Sequence, residues 1–248
     1  MRLGKSGFRP ALWPTLAMLV LCALFLFLAR WQWHRADYKE ALLAEYAAQG
    51  QRAPVSLDAL LADSTLESFP RYLKVQAEGS YDSGRQVLLQ DMTHDSDVGY
   101  EVLTPFLMRG GVVVLVDRGW VAADREGKAP DVTVAGTPRR IEASIGTLPA
   151  PGLKLGQPAA PAAGWPKLMF YPTLAELRPF FGPKLMTPVL HLAPGQPDGY
   201  VRDTTLDVGL PPARHLGYMF QWLMLAAAVF LVWLVVNLRR GRAKRAES

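Results

Sequence analysis

Cysteine is almost absent from this 248-residue chain, in which Cys22 is the one thiol and falls inside an apolar run near the N-terminus. The remainder of the chain therefore offers no disulfide and no cysteine site for zinc or an iron–sulfur cluster. Enzyme signatures are missing too: the sequence has no Gly-x-Ser-x-Gly, no His-Glu-x-x-His, no phosphate loop and no Gly-x-Gly-x-x-Gly. These absences predict a protein that is not an enzyme.

Acidic residues are missing from the first 29 positions, which hold three basic side chains. The last ten residues hold five basic side chains and one acid, whereas residues 30–214 hold 19 basic and 21 acidic ones. The net charge of +5 therefore comes from the two ends of the chain. A core that binds nucleic acid is not expected from this distribution.

Charge is also missing from two long apolar runs, at residues 11–29 and 216–238. Each is close to the 20 or so residues that a membrane-spanning helix needs. The first run is too long for the core of a signal peptide and no Ala-x-Ala site closes it, which indicates an uncleaved anchor. The sequence thus predicts a protein that crosses the lipid bilayer twice.

Basic flanks predict the orientation of these spans, because lysine and arginine beside a span tend to stay in the cytoplasm. We expect a bacterial inner (cytoplasmic) membrane protein with both termini cytoplasmic and residues 30–214 facing outward. The predicted segments, in chain order, are a basic tail (1–10), a transmembrane helix (11–29), an outward domain (30–214), a second transmembrane helix (215–238) and a basic tail (239–248).

The outward domain has the pattern of an α+β fold. Residues 31–49 continue the first helix, and short helices are predicted at 57–62 and 174–180, with Ser56 and Thr173 as N-caps. Alternating or β-branched segments predict strands at 71–77, 86–89, 100–108, 112–116, 140–146, 185–192 and 200–202, with turns at 79–82 and 109–111 and a long loop at 148–166. We expect a mostly antiparallel sheet or a small barrel.

The segment that enters the second span carries the first candidate site. His215 stands at the outward end of that helix, and Tyr218 and Trp222, three and seven residues further on, are expected on the same helix face. A neutral imidazole there is a candidate axial ligand to haem iron. Arg214 is placed to meet a haem propionate, and Arg30 or Arg35 is a further candidate across the hairpin. From the residues alone, a histidine in an interfacial aromatic belt remains the alternative.

Two further clusters lie in the predicted domain. Asp117, Arg118, Gly119 and Trp120 lie at the end of the most apolar predicted strand. In one interpretation Arg118 and Trp120 bind a partner or an acidic ligand group. In the other, Arg118 and Asp117 form a structural ion pair, Gly119 makes a turn and Trp120 is a core residue. His94 stands among three aspartates, Asp91, Asp95 and Asp97, which is either a metal site or a solvated turn.

Five motifs, in order along the chain, match one known family. They are Arg30-Trp31-Gln32-Trp33-His34-Arg35-Ala36-Asp37-Tyr38-Lys39; Gly79-Ser80-Tyr81-Asp82; Gly99-Tyr100 with Thr104-Pro105-Phe106; Val116-Asp117-Arg118-Gly119-Trp120-Val121; and His215-Leu216-Gly217-Tyr218 with Gln221-Trp222. The chain resembles the Surfeit-locus (Surf-one) family of cytochrome c oxidase assembly proteins. It departs from that pattern at Tyr38, where tryptophan is common, and at Asp117, where asparagine is more usual.

The resemblance implies an assembly factor that helps deliver haem a to, or insert it into, the large subunit of cytochrome c oxidase. Bacterial members of the family are thought to bind haem a, with His215 matching the ligand and Trp222 the residue beside it. It also implies contacts with the haem a synthesis machinery and roles for Trp31, Gln32, Arg35, Arg118 and Gly119. The alternative is a two-span sensor or envelope scaffold whose β domain binds a ligand or a protein.

Overall fold

The computed structural model describes residues 10–62, 69–124, 126, 130–149, 161–202, 206 and 208–246, with side chains described up to residue 240. The chain divides into two compact units. One contains the residues up to 44 together with those from 207 onward, and the other contains residues 45–206.

Two long helices dominate the first unit. Helix α1 spans Leu12–Gly50, with its last six residues in the second unit, and the last helix of the chain spans Pro212–Ala246. Each contains an apolar stretch long enough to cross a membrane. Most of their apolar side chains are exposed in the isolated chain, including Trp13 at 79% and Met224 at 71%, which is the reverse of a soluble core helix.

The two helices of this unit pack along one stripe each. On α1 the less exposed positions recur every three or four residues, as they do on the last helix, which is the spacing of one helical face. Four contacts define the register, and their residue numbers rise on one helix as they fall on the other, as an antiparallel pair requires. They join Gln32 to His215, Phe25 to Trp222, Cys22 to Ala226 and Thr15 to Trp233.

The second unit is built on strands that alternate inward and outward side chains. Its elements, in chain order, are β1 (Val55–Ser56), α2 (Leu57–Ala62), β2 (Lys74–Tyr81), β3 (Val87–His94), β4 (Asp97–Met108), a 3₁₀ turn (Arg109–Gly111), β5 (Val113–Ala122), β6 (Arg139–Gly146), β7 (Lys167–Met169), α3 (Leu174–Phe181) and β8 (Leu185–Leu192). The last helix of the chain, Pro212–Ala246, is α4.

Five of these strands close into a barrel. The sheet order is β1-β2-β6-β8-β5-β4-β3-β7, and an additional pairing of β2 with β4 joins the ends of the five-strand part. The pairs are antiparallel except β1 with β2, β3 with β7 and β5 with β8. Closure leaves the ring itself with no free edge, while β3 and β7 extend the sheet outside it.

Alternate residues of β5 belong to two different hydrophobic cores, one inside the barrel and one between the barrel and α3. Val114 and Val116 point into the barrel, where Phe106 is fully buried. Val113 and Leu115 point outward and are covered by α3 through Leu177. A capping box starts α3: the Thr173 hydroxyl accepts from the Glu176 amide, and the Glu176 carboxylate accepts from the Thr173 amide.

The predicted fold class is confirmed: two apolar helices flank an α+β domain built on a small barrel. The helices expected at 57–62 and 174–180 and the strand at 185–192 lie where predicted. The turn expected at 79–82 is wrong, since β2 continues through Tyr81 and the turn follows it. The strand expected at 200–202 is a single bridge between Val201 and Trp120. Most of the expected 148–166 loop lies outside the described residues.

Candidate functional site

His215 lies near the start of α4 and is only 7% exposed, because its ring packs against α1. Its Nδ1 lies 2.7 Å from Oε1 of Gln32. No described residue hydrogen-bonds to Nε2. One ring nitrogen is thus occupied by a side chain of the facing helix.

The aromatic side chains beside His215 divide between two faces of α4. Trp222 shares the face of His215 and stacks on Phe25 of α1, with ring centroids 5.7 Å apart and planes inclined by 25°. Tyr218 is 41% exposed and lies off this face, and Met219 takes the position next to His215 along the stripe. The expectation that Tyr218 shares the face of His215 is therefore not met.

Positive charge surrounds this end of the hairpin. Arg35 and Lys39 of α1 are close enough for their charges to act on the His215 ring. Arg35 lies over the ring of Tyr38, 6.0 Å from its centroid, and the Lys39 ammonium donates to the carbonyl of Val208. Arg214 and Trp31 are exposed.

Arg118 is the largest fully buried side chain of the barrel unit, and its guanidinium points inward with Val114 and Val116. Four oxygen atoms accept its stronger hydrogen bonds, at 2.7–3.3 Å: the carbonyls of Asp198 and Val132, Oε1 of Gln86 and Oγ1 of Thr104. The rings of Tyr200 and Tyr81 lie 4.9 and 5.7 Å away. Arg118 thus joins β4, the residue before β3 and two loops through uncharged partners.

The expected ion pair between Arg118 and Asp117 does not exist. Neighbouring residues on a strand point to opposite faces, so Asp117 lies on the outer face of the barrel. There its Oδ2 accepts a 2.8 Å hydrogen bond from Nδ1 of His191 on β8, and its Oδ1 accepts from the amide of Gly119.

The pair of Asp117 and His191 shifts the pKa of both groups. Burial raises the pKa of Asp117, but the hydrogen bond and charge of His191, with contributions from Glu101 and the Gly119 amide, outweigh burial and lower it. Burial lowers the pKa of His191, but the hydrogen bond and charge of Asp117 outweigh burial and raise it. Each of the two shifts favours the charged form of its group.

Gly119 and Gly146 are required by close contacts. Gly119 has a φ of +105°, and a Cβ there would overlap the carbonyl oxygen of Val201. A Cβ at Gly146 would overlap the ring of His191, which lies directly over it. Trp120 is only partly buried and donates from Nε1 to the carbonyl of Met92 at 2.9 Å.

The expected polar cluster around His94 has the geometry of a turn. Asp95 and Ser96 adopt positive φ between β3 and β4, and the His94 ring packs against Trp120 with centroids 5.3 Å apart. Among the described residues, no group of three histidine, cysteine or acidic side chains could hold a metal ion.

One cavity lies at the surface of the barrel unit, with a volume of about 320 Å³. It is lined by Ser83, Gly84, Gln86, Pro130, Asp131, Val132, Thr133, Trp165 and Pro166. Its carboxylate, Asp131, accepts from the amide and hydroxyl of Thr133.

Sequence reasoning missed two partners. The resemblance to the family gave Gln32 a role, but not a partner. Gln32 is a polar residue two turns from Phe25 on the same face of α1, and this position is the signal that could have indicated a contact with the other helix. His191 lies in the strand predicted at 185–192, where a partner close in sequence was expected, but its partner Asp117 lies on β5, some 70 residues earlier in the chain. No local pattern gives that pairing.

Two helices that are each long and apolar enough to cross a membrane, with a five-strand barrel between them in the chain, define a class of membrane protein with a β-barrel domain. A sequence profile of the SURF1 family matches residues 19–227. The chain therefore belongs to the SURF1 family, which is generally a family of cytochrome oxidase assembly factors rather than enzymes.

Similar proteins include uncharacterized SURF1-like proteins of Mycobacterium bovis and Mycobacterium tuberculosis. Each is 33% identical over 114 residues, which is 44% of this chain and 42% of the relative. The match thus spans less than half the length of these relatives.

Proposed function

We propose that this protein assists the assembly of cytochrome c oxidase by holding haem a near the start of α4, for delivery to the large catalytic subunit. The proposal places the protein in a bacterial cytoplasmic membrane, with both termini in the cytoplasm and the barrel on the outer side. Its partners are then the large subunit and the haem a synthesis machinery.

The observation that carries the proposal is the state of the His215 ring. Its Nδ1 is engaged by Gln32 at 2.7 Å, so the ring is held in place while Nε2 has no hydrogen bond to a described residue. Haem iron takes an axial ligand of this kind, a neutral imidazole nitrogen. The donor set therefore fits the group.

The surrounding side chains support the same function. Arg35, Lys39 and exposed Arg214 offer positive charge for carboxylates such as haem propionates. Trp222 stacks on Phe25 and excludes water from the helix interface two turns from His215. These residues bind and orient, and no proton transfer is asked of them.

The first test is haem binding by the purified full chain in detergent. We expect the visible spectrum of a preparation from cells that make haem a to show a histidine-ligated haem, and His215→Ala to lose it. His34→Ala is the matched control, because His34 is exposed on α1 and stacks on Trp33 instead of facing α4. A His215→Ala protein with unchanged haem content and spectrum would show that the ligand is wrong.

The second test is oxidase assembly in the cell. Deletion of the gene should lower oxidase activity and the haem a content of the complex, and the wild-type gene should restore both where the His215→Ala gene does not. Unchanged oxidase after deletion would refute the assembly function.

A further inference from the structure

The hydrogen bond between Gln32 and His215 determines where the imidazole proton lies. The atom of Gln32 that faces the ring is its amide oxygen, which accepts hydrogen bonds and cannot donate them. Nδ1 must therefore carry the proton, and in a neutral ring Nε2 then carries the lone pair.

The helix register holds Gln32 opposite His215. Phe25 and Trp222 stack two turns away on the same faces, and Cys22 contacts the Ala226 carbonyl one turn beyond. A second polar contact, from Trp233 Nε1 to Thr15 Oγ1 at 3.1 Å, lies at the other end of the same stripe. The two polar contacts are separated by 17 residues of α1, or about 25 Å at 1.5 Å per residue.

Packing also limits the alternatives for the Gln32 side chain. Gln32 is only partly exposed, and its neighbour one turn on, Ala36, is 2% exposed and has no polar atom in its side chain. Within the part of the chain that the structure describes, the Gln32 side chain hydrogen-bonds to His215 alone. The amide is therefore held against the ring by the helix pair.

We propose that Gln32 is a positioning residue for His215. Its amide oxygen selects the Nδ1–H form of the ring and fixes the ring plane, so that Nε2 is the nitrogen presented to a metal centre. The Nδ1–H form of the ring follows from the contact between Gln32 and His215 alone, whereas the binding of a metal centre by Nε2 rests on the proposed function. Partners of this type orient metal-binding histidines and raise their basicity.

The first arm of the test measures the proton position without haem. The full chain is labelled with ¹⁵N-histidine in detergent micelles, and the four histidines are separated by comparison with His215→Asn. At a pH where the ring is neutral, the ¹⁵N shifts should report Nδ1–H for His215 in the wild type and in Gln32→Glu, which keeps an acceptor oxygen. Gln32→Met, which has similar length and no acceptor oxygen, should show the Nε2–H form.

Thr15→Val is the matched control for loosening of the hairpin. It removes the polar contact at the other end of the stripe and should leave the His215 signals unchanged. The inference is overturned if Gln32→Met keeps the Nδ1–H form, or if Thr15→Val changes the signals as Gln32→Met does.

The second arm measures binding of hemin to the same variants. Gln32→Met should bind hemin about tenfold or more weakly and should lower the iron–histidine stretching frequency of the ferrous form in resonance Raman spectra, while Gln32→Glu should restore both. Unchanged binding and frequency in Gln32→Met overturn the positioning role and leave the proposed function standing. Hemin binding that does not depend on His215 would overturn the proposed function, and with it the inference that Nε2 is presented to a metal centre. The inference that Nδ1 carries the proton would still be decided by the NMR measurement.

Discussion

Replacing Arg118 by methionine tests whether the barrel depends on one buried cation. The guanidinium donates hydrogen bonds of 2.7–3.3 Å to four oxygens and a longer one, of 3.5 Å, to the Tyr200 hydroxyl, and Arg118 is 2% exposed. Two of these acceptors keep another donor in the variant: Gln86 Oε1 keeps the Thr104 hydroxyl, and the Val132 carbonyl keeps the Gln86 amide. The carbonyl of Asp198 loses its charged donor.

The size of the effect follows from these contacts. A buried acceptor left without its donor costs about 1–3 kcal/mol. The lost contacts with the rings of Tyr200 and Tyr81 cost about 0.5–2 kcal/mol each. Methionine fills most of the volume and removes a buried charge, which offsets part of the loss. We therefore expect Arg118→Met to lower the free energy of unfolding of the barrel by about 3 kcal/mol. The free energy of unfolding of Arg118→Lys should lie between those of the wild type and Arg118→Met, because lysine keeps the charge but lacks the planar guanidinium.

The assay is hydrogen–deuterium exchange of the full chain in detergent, read by mass spectrometry on peptides from β4 and β5. A loss of about 3 kcal/mol corresponds to roughly a hundredfold faster exchange of the most protected amides. Arg140→Met is the control, because Arg140 is an exposed cation of the same barrel that pairs with Glu78 at 2.5 Å, and loss of a solvated ion pair should leave the exchange nearly unchanged. Exchange in Arg118→Met within a few-fold of the control would refute the reasoning.

Two further predictions concern the outer face of β5. The raised pKa of His191 adds stability below about pH 6.5, and this stability is lost as the pH rises through the pKa of His191 in the folded protein. The lowered pKa of Asp117 adds stability above about pH 3.8, and this stability is lost as the pH falls through the pKa of Asp117 in the folded protein. The pair should therefore stabilise the barrel most between these limits. Urea unfolding of wild type and His191→Asn should show a difference that peaks there and shrinks toward pH 9, and a difference that does not vary with pH would contradict it. Gly119→Ala should lower the free energy of unfolding by about 2–4 kcal/mol, because φ is positive there and the new Cβ would overlap the Val201 oxygen. Gly110→Ala, which also has positive φ but no neighbouring atom in the way, should lower it by about 1 kcal/mol. Equal losses in thermal unfolding would contradict the steric argument.

Local chemistry predicted the elements that depend on a few neighbouring residues. The spans follow from uncharged runs of about 20 residues, the turn at 109–111 from Gly110 and Gly111, and helix α3 from Thr173 as N-cap. In each case the free energy that fixes the element comes from side chains and backbone close in sequence.

Closure of the barrel could not be predicted in this way. The pairing of β2 with β4 joins Gly79 to Met108 and Tyr81 to Phe106, and no local pattern distinguishes it from an open sheet. The same holds for the contact between Gln32 and His215, which depends on how two distant helices align.

Two errors had a signal in the sequence. The period of two along a strand already placed Asp117 and Arg118 on opposite faces, which excludes an ion pair between them. At a helical period of 3.6, residues three and four positions from His215 lie on either side of its face, and packing selected Met219 over Tyr218.

The position of β8 in the ring sets an order for folding. β8 lies between β5 and β6, yet it is the last strand to be synthesised. Until Leu185–Leu192 is available, β5 and β6 each have an unpaired edge, and unpaired edges are templates for aggregation. A chain that ends before Leu185 should therefore form an open sheet instead of a smaller barrel, and the ring can close only shortly before α4 itself is made.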